Sequence, residues 1–253
     1  MRTVNSSMLI GNKGTGLALM AGVILTIVAG LFFPGGPFVS PVDQTDFAAA
    51  IVPLGEQAAL GHVMTMLIVL GMLFYAYGFT ALYRLGNGER SLASTALRLG
   101  VVTSLFGWGV FVLGLAQRHM VIYLMQRSLD SSESAEAQAQ LAQFALDVQI
   151  DIAGLLMGFL WLYPVASALT GIGLAGRFSD LNAFKLASYV LVIIGAGAII
   201  NFLIALLAPG LDTVTLLLVN NVFQMIGALA LFVIGLGLYQ GRRELVPAEE
   251  SSG

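Results

Sequence analysis

The sequence contains no cysteine and few charged residues, and each absence excludes whole classes of protein. Without cysteine the chain has no disulfide, no thiolate nucleophile and no cysteine-ligated metal or iron–sulfur site. Only 10% of its 253 residues are charged, against about a quarter in a soluble domain, so the chain cannot cover a water-facing surface. A net charge of −3 without any basic run gives no sign of a nucleic-acid partner.

Sequence motifs of common catalytic sites are also missing. The chain has no G-x-S-x-G, H-E-x-x-H or G-x-x-x-x-G-K sequence, which are typical of serine hydrolases, zinc proteases and phosphate-binding loops. The glycine-rich stretch "GNKGTG" precedes an apolar run instead of following a strand. The sequence therefore favours a non-enzymatic protein and leaves its activity undetermined.

What the sequence does contain is long apolar runs. Hydrophobic residues make up 58% of the chain, the mean hydropathy is +0.90, and a membrane helix needs about 20 largely apolar residues. Six segments qualify: 16–34, 58–83, 97–125, 150–174, 186–208 and 213–239. We predict an all-α polytopic membrane protein, a six-transmembrane-helix bundle over 16–241, with an N-terminal segment 1–15 and a tail 242–253.

Lys and Arg are unequally divided between the two sides of this bundle, and an even number of spans puts both termini on one side. Arg118 and Arg127 lie on the opposite side. The side of the termini carries nine of the eleven basic residues: Arg2, Lys13, Arg84, Arg90, Arg98, Arg177, Lys185, Arg242 and Arg243. The positive-inside rule then predicts cytoplasmic N- and C-termini, and we expect the membrane to be a prokaryotic cytoplasmic (inner) membrane.

Other residues predict how the spans pack and begin. Glycine-rich stretches such as "GIGLAG" and "GAGAII" favour close helix contacts. A short external helix is predicted from Asp46 through Ile51, and Asp130 with Glu133 resembles a capping box that starts the fourth span near Ser131, outside the membrane. A cytoplasmic aromatic belt is predicted from the tyrosines at span ends, which are Tyr83, Tyr163, Tyr189 and Tyr239.

Several ionisable residues fall at one depth, because an α-helix rises 1.5 Å per residue. Asp151 lies 26 residues before Arg177, or about 39 Å, which exceeds the ~30 Å hydrocarbon core and puts Asp151 at the outer interface. The same measure puts four further residues near this interface. We call the set the outer polar layer: His62, Arg118, His119, Asp147 and Asp151.

Three interpretations of the outer polar layer are open. Arg118 pairs with Asp147 or Asp151, since paired charges are how ionisable groups are kept near lipid. Alternatively, His62, His119 and an aspartate bind a metal ion, or the two histidines are axial ligands of a b-type haem. The first interpretation predicts no cofactor, the second predicts a metal ion, and the third predicts haem b.

Uncharged polar residues in the outer half of the bundle are candidates for a polar pocket. Asparagine and glutamine in a span either hydrogen-bond between helices or line a cavity. The candidates are Asn201, Asn220, Asn221 and Gln224. A face of the third span with Ser104, Trp108 and Gln117 would contribute to the same pocket.

The order of these segments resembles one known group. It begins with "LALMAGVILTIVAGLF" and a long external loop, continues with "LIVLGMLFYAYGFTALYRL", and closes on "LLLVNNVFQMIGALALFVIGLGLYQG". It is similar to a bacterial family of six-helix integral membrane proteins described as a domain of unknown function, whose last span carries an Asn and a Gln, here Asn220 and Gln224. An acidic residue often follows that Gln in the family, and Met225 replaces it here. The resemblance implies a topology and no mechanism.

Taken together, these features predict an integral membrane protein that binds a small or lipidic ligand, or a partner subunit, through the outer polar layer. One alternative is a haem- or metal-binding membrane redox protein that uses His62 and His119. Another is a small-solute transporter or channel. The lipid bilayer is a predicted partner, with a second membrane protein or a second copy of the chain as further candidates.

Overall fold

The computed structural model describes residues 6–87, 91–208 and 213–246, and these residues form an all-helical chain. Arg2, Arg90, Asp212 and the 247–253 part of the predicted tail lie outside the described residues. The helices are α1 Ser6–Leu31, α2 Phe47–Glu56, α3 Ala58–Leu85, α4 Leu92–Ser128, α5 Ala135–Ala175, α6 Ala183–Leu207, α7 Thr213–Tyr239 and a short 3-10 helix Arg243–Leu245.

Six of these helices are long and apolar enough to cross a membrane, namely α1 and α3 to α7. The predicted all-α class is therefore confirmed, and the described residues contain the six helices of spanning length that the sequence predicts. The predicted spans lie within the observed helices except at residues 32–34 and 208, where α1 and α6 have already ended. The 10-residue α2 is too short to be a span.

Polar side chains fix where the helices begin, because the first N–H groups of a helix have no partner within it. Asp46 caps α2 by accepting the Ala49 N–H at 3.0 Å, and Ser91 caps α4 by accepting the Ser94 N–H at 3.1 Å. A helix is therefore present where the sequence predicts a short one, and it continues beyond Ile51 to Glu56.

The start of α5 differs from the prediction. Its cap is Ser134, whose hydroxyl accepts the Ala137 N–H at 3.2 Å, and not the Asp130–Glu133 pair. Asp130 instead accepts the Ser132 N–H at 2.9 Å within a turn, and this hydrogen bond lowers the pKa of its carboxyl. With 41 residues, α5 is about 61 Å long, so it extends well beyond one membrane thickness as the sequence predicts.

The six long helices form a closed ring. Each packs against the next in chain order, from α1 to α3 and on to α7, and α7 packs against α1. Outside the ring, α2 packs against α4, α5 and α3. We call the end of the bundle that carries α2 the α2 end, and the opposite end, where α1 and α7 approach the chain termini, the terminal end.

Glycine allows neighbouring helices in this ring to approach closely. A Cβ atom on Gly171 of α5 would lie 2.6 Å from the Ser188 carbonyl oxygen of α6. A Cβ atom on Gly16 of α1 would lie 2.6 Å from the Gly235 carbonyl oxygen of α7. A larger residue at either position must therefore push the helices apart, as expected for helices packed in lipid.

The outside of the ring is apolar, as a lipid-facing surface must be. Large side chains such as Leu73, Phe106 and Ile193 are more than half exposed. Tyr83, Tyr189 and Tyr239 are exposed as well. The interior is filled largely by aromatic and branched apolar residues, and it is there that the chain leaves a cavity.

Candidate functional site

A cavity of about 210 Å³ lies inside the ring, and we call it the central chamber. Residues of α1, α3, α4, α5 and α7 line it, so nearly the whole ring contributes. Its lining is mostly apolar, with five aromatic side chains: Tyr75, Trp108, Phe111, Phe159 and Tyr163.

The aromatic residues pack against one another around the chamber. The ring centroids of Tyr75 and Trp108 are 5.1 Å apart, those of Phe111 and Phe159 are 4.8 Å apart, and those of Phe159 and Tyr163 are 5.6 Å apart. Such separations give aromatic pairs a favourable interaction beyond simple burial. The chamber is thus bounded by flat, rigid surfaces that suit a ring or a hydrocarbon chain.

The chamber opens between α1 and α7. These helices are in close contact at Gly16 and Gly235, towards the terminal end. Further towards the α2 end, Gly30 and Met225 both line the chamber and are exposed on the surface. A Cβ atom on Gly30 would meet no atom within 4 Å. The gap between α1 and α7 therefore connects the chamber to the apolar outside of the bundle.

Few polar groups face the chamber. Thr26 donates its hydroxyl to the Gly22 carbonyl at 2.9 Å, and Tyr163 donates its hydroxyl to the Gln224 backbone carbonyl at 3.3 Å. The Gln224 side-chain amide, by contrast, has no hydrogen-bond partner in the part of the chain that the structure describes. One turn towards the α2 end, Asn220 is only 5% exposed, and its Nδ2 atom is buried without a described partner.

Of the four residues proposed from the sequence as a polar pocket, the structure places only Gln224 against the chamber. Asn201 donates its amide to the Leu216 carbonyl at 2.9 Å and so joins α6 to α7. Asn221 is exposed on the outside of α7. On α4, Trp108 lines the chamber and Ser104 is buried near it in sequence, whereas Gln117 is exposed.

His62 and His119 are brought together at the α2 end. Their Nδ1 atoms are 2.7 Å apart, and the rings stack with a centroid separation of 5.0 Å and an angle of 17°. Because the nitrogens are within hydrogen-bond distance, one ring donates an Nδ1–H and the other accepts it. The pair joins α3 to α4 and holds a proton between the two rings.

This arrangement leaves no space for an ion between the two nitrogens. Two imidazoles on one tetrahedral zinc ion have nitrogens about 3.3 Å apart, so a metal ion would have to separate the rings. A haem with one ring on each face would separate them further. No group of three His, Cys, Asp or Glu residues arranged to hold a metal ion occurs within residues 6–87, 91–208 and 213–246.

Arg118 lies near the histidines in sequence but has a different partner from the one expected. Its guanidinium carbon is 5.5 Å from the centroid of the Phe33 ring, a cation–π geometry. Its Nε–H group is buried and donates to no described acceptor. Among the described residues, the ion pair at the α2 end is that of Arg127 with Glu133.

The ion pair proposed between Arg118 and Asp147 or Asp151 is not formed in this structure. Both aspartates are exposed, and Asp147 accepts the amide of Gln143 at 2.9 Å. The buried face of this part of α5 instead carries Ala145, Gln149 and Ile152. Helical rise gives the depth of a residue but not its face, which explains why the prediction failed.

Sequence reasoning missed most of the chamber. Tyr163, predicted for an interfacial belt, is partly buried and lines the chamber. Phe159 and Tyr163 lie one turn apart on α5 with their rings in contact, and Phe159 faces Phe111 of α4. Aromatic residues spaced by one turn in two adjacent spans are the signal that would have indicated a shared aromatic surface.

The fold and the chamber define a helical membrane-protein bundle with an internal apolar cavity. Neither a scan against protein-family models nor searches of curated proteins and solved structures found a match to this chain. Its function must therefore be inferred from the chamber itself.

Proposed function

We propose that this protein binds a small membrane-soluble ligand in the central chamber and does not transform it. The observation that carries the proposal is the aromatic-lined cavity of about 210 Å³ that opens between α1 and α7. Apolar cavities with a few polar groups are the usual form of small-molecule sites. No histidine, carboxylate or lysine is among the described residues that line the chamber, which favours binding over acid–base catalysis.

The size of the chamber limits the ligand. An apolar cavity of about 150 Å³ holds benzene, so 210 Å³ admits one ring with short substituents or a short stretch of chain. Sites for larger molecules occupy about 300–1,000 Å³. A larger lipid would therefore place one end in the chamber and extend the rest through the gap at Gly30 and Met225 into the bilayer.

We further propose that the bundle lies in a prokaryotic cytoplasmic membrane with the terminal end inside. The nine-to-two division of Lys and Arg between its ends supports this orientation. The α2 end, with the histidine pair, is then external. A reporter enzyme that works only in the cytoplasm should be active when it is fused to the C-terminus, and one that works only in the periplasm should be inactive. The opposite result would reverse the proposed orientation.

Ligand binding is tested by the fluorescence of Trp108. The other tryptophan, Trp161, is 43% exposed on the outside of α5, so Trp161→Phe leaves a single fluorophore at the chamber. In lipid nanodiscs, bromobenzene should quench Trp108 in a saturable manner, because its heavy atom enters the chamber beside the indole.

Two variants separate chamber binding from quenching through the lipid. Ala228 lines the chamber, and Ala228→Phe should remove the saturable part of the quenching. Its neighbour Leu229 is 53% exposed, and Leu229→Phe should leave the titration unchanged. Quenching that is linear in bromobenzene and equal in both variants would refute the proposed function.

A further inference from the structure

Two side-chain amides lie on the inward face of α7 without described partners. Gln224 lines the chamber together with Ala228 and Leu231, and residues at these intervals share one face of a helix. Asn220, four residues before Gln224, is on the same face and only 5% exposed. Its Nδ2 atom is buried and donates to no described acceptor.

These amides differ from the other asparagines of the outer half. Asn201 has its donor satisfied by the Leu216 carbonyl at 2.9 Å, and Asn221 faces outward. A buried N–H without an acceptor is costly in an apolar interior. Lipid hydrocarbon offers this N–H group no acceptor. An acceptor that enters the chamber would therefore form the hydrogen bond without replacing an existing one.

We propose that the chamber recognises a ligand with a carbonyl oxygen, such as a ketone or an ester, which accepts an N–H group from Gln224, the α7 amide that lines the chamber. This inference rests on the proposed function and names the chemical class of its ligand. A neutral acceptor fits better than an anion, because no Lys, Arg or His is among the described residues lining the chamber. The aromatic walls would hold the apolar remainder of the molecule.

Entry of the ligand follows from the position of the amides. Met225, which follows Gln224, lies at the opening between α1 and α7. The carbonyl end would therefore pass the gap and meet the Gln224 amide, while a chain attached to it stays in the opening or in the lipid. Gln224 thus gives the ligand one orientation in the chamber.

The experiment compares two competitors of nearly equal shape. Methyl cyclohexanecarboxylate and sec-butylcyclohexane have the same number of non-hydrogen atoms, but only the ester has a carbonyl oxygen. Each is titrated against bromobenzene bound in the chamber of the full-length Trp161→Phe protein in nanodiscs. The readout is the recovery of Trp108 fluorescence, and comparison between variants cancels the partitioning of each compound into lipid.

Gln224→Leu should raise the half-displacing concentration of the ester about threefold to tenfold, the value of one hydrogen bond. The hydrocarbon should displace bromobenzene equally well from all variants. Asn221→Leu, on the adjacent outward position, is the matched control and should change neither competitor.

The outcomes distinguish this inference from the proposed function. If bromobenzene binds saturably but Gln224→Leu does not change the ratio of ester to hydrocarbon affinity, the carbonyl proposal is overturned and chamber binding stands. An equal shift of both competitors overturns it too, because Gln224 would then act only through chamber shape. If bromobenzene shows no saturable binding to the parent protein, both proposals fail.

Discussion

Replacing Ala228 by phenylalanine is expected to stabilise the ligand-free protein while it abolishes ligand binding. Unfilled volume inside a protein costs about 24 cal/mol per Å³, so about 5 kcal/mol is the upper limit of the packing lost at a chamber of about 210 Å³ that opens to lipid. A phenyl group that recovers about half of this, less about 1 kcal/mol for imperfect fit, gives a net gain of about 1–2 kcal/mol.

The gain is measurable as a change in melting temperature. For a chain of this size, 1 kcal/mol shifts the midpoint by about 2–4 °C, so Ala228→Phe should melt about 2–8 °C above the parent in detergent. Leu229→Phe, on the outside of the same turn, should melt with the parent. Higher stability with loss of binding is typical of a cavity kept for function.

One result would refute this reasoning. If Ala228→Phe lowers the melting temperature while bromobenzene still quenches Trp108 saturably, the space beside Ala228 is not the ligand site. The residue would then pack against its neighbours as an ordinary part of the core.

Three further predictions concern the rest of the bundle. In a double-mutant cycle, His62→Ala and His119→Ala should be coupled by about 1 kcal/mol in the free energy of unfolding, because they share one hydrogen bond and a ring stack; additive losses would contradict the pair. Arg118→Met should lower the free energy of unfolding by about 1 kcal/mol through the lost cation–π contact, while Asp151→Asn should leave it unchanged, as measured by chemical unfolding. Gly171→Leu should lower the free energy of unfolding by about 3 kcal/mol or prevent folding, since its Cβ atom meets the backbone of α6. Size-exclusion chromatography and thermal melting test this prediction.

Two of these predictions have an internal control. For Gly171 the control is Gly154→Leu, also on α5, where an added Cβ atom would meet nothing within 4 Å; equal damage from both would reject the close-contact explanation. For Arg118 the informative contrast is Asp151→Asn, and destabilisation by that variant would restore the ion pair proposed from the sequence.

The helices were predictable because the signals that specify them are local. Runs of about 20 apolar residues predict six spans, and each of them is a helix long and apolar enough to cross a membrane. The polar residue before α2, Asp46, correctly indicated a helix start. The cap of α5 is misassigned to Asp130 because two acidic residues and three serines in "DSSES" offer competing caps, and only the backbone path decides between them.

The candidate site was less predictable, because a membrane span is apolar on every face. In a soluble helix a polar face marks the outside, whereas in lipid the same residue types face both the bilayer and the core. Phe106 is 69% exposed, whereas Phe111 lines the chamber. Both are phenylalanines of α4, and their residue type does not distinguish the two positions. Depth along a helix placed His62 and His119 at one level, but their contact required the packing of α3 against α4.

The most direct test of the account is to identify what the protein carries when it is purified. Mass spectrometry of organic extracts from the parent protein in mild detergent should find a small carbonyl-bearing lipid or ring compound near one equivalent per chain. The Ala228→Phe variant should lack it, and Leu229→Phe should retain it. The same compounds in the same amounts from all three proteins would contradict a ligand site in the central chamber.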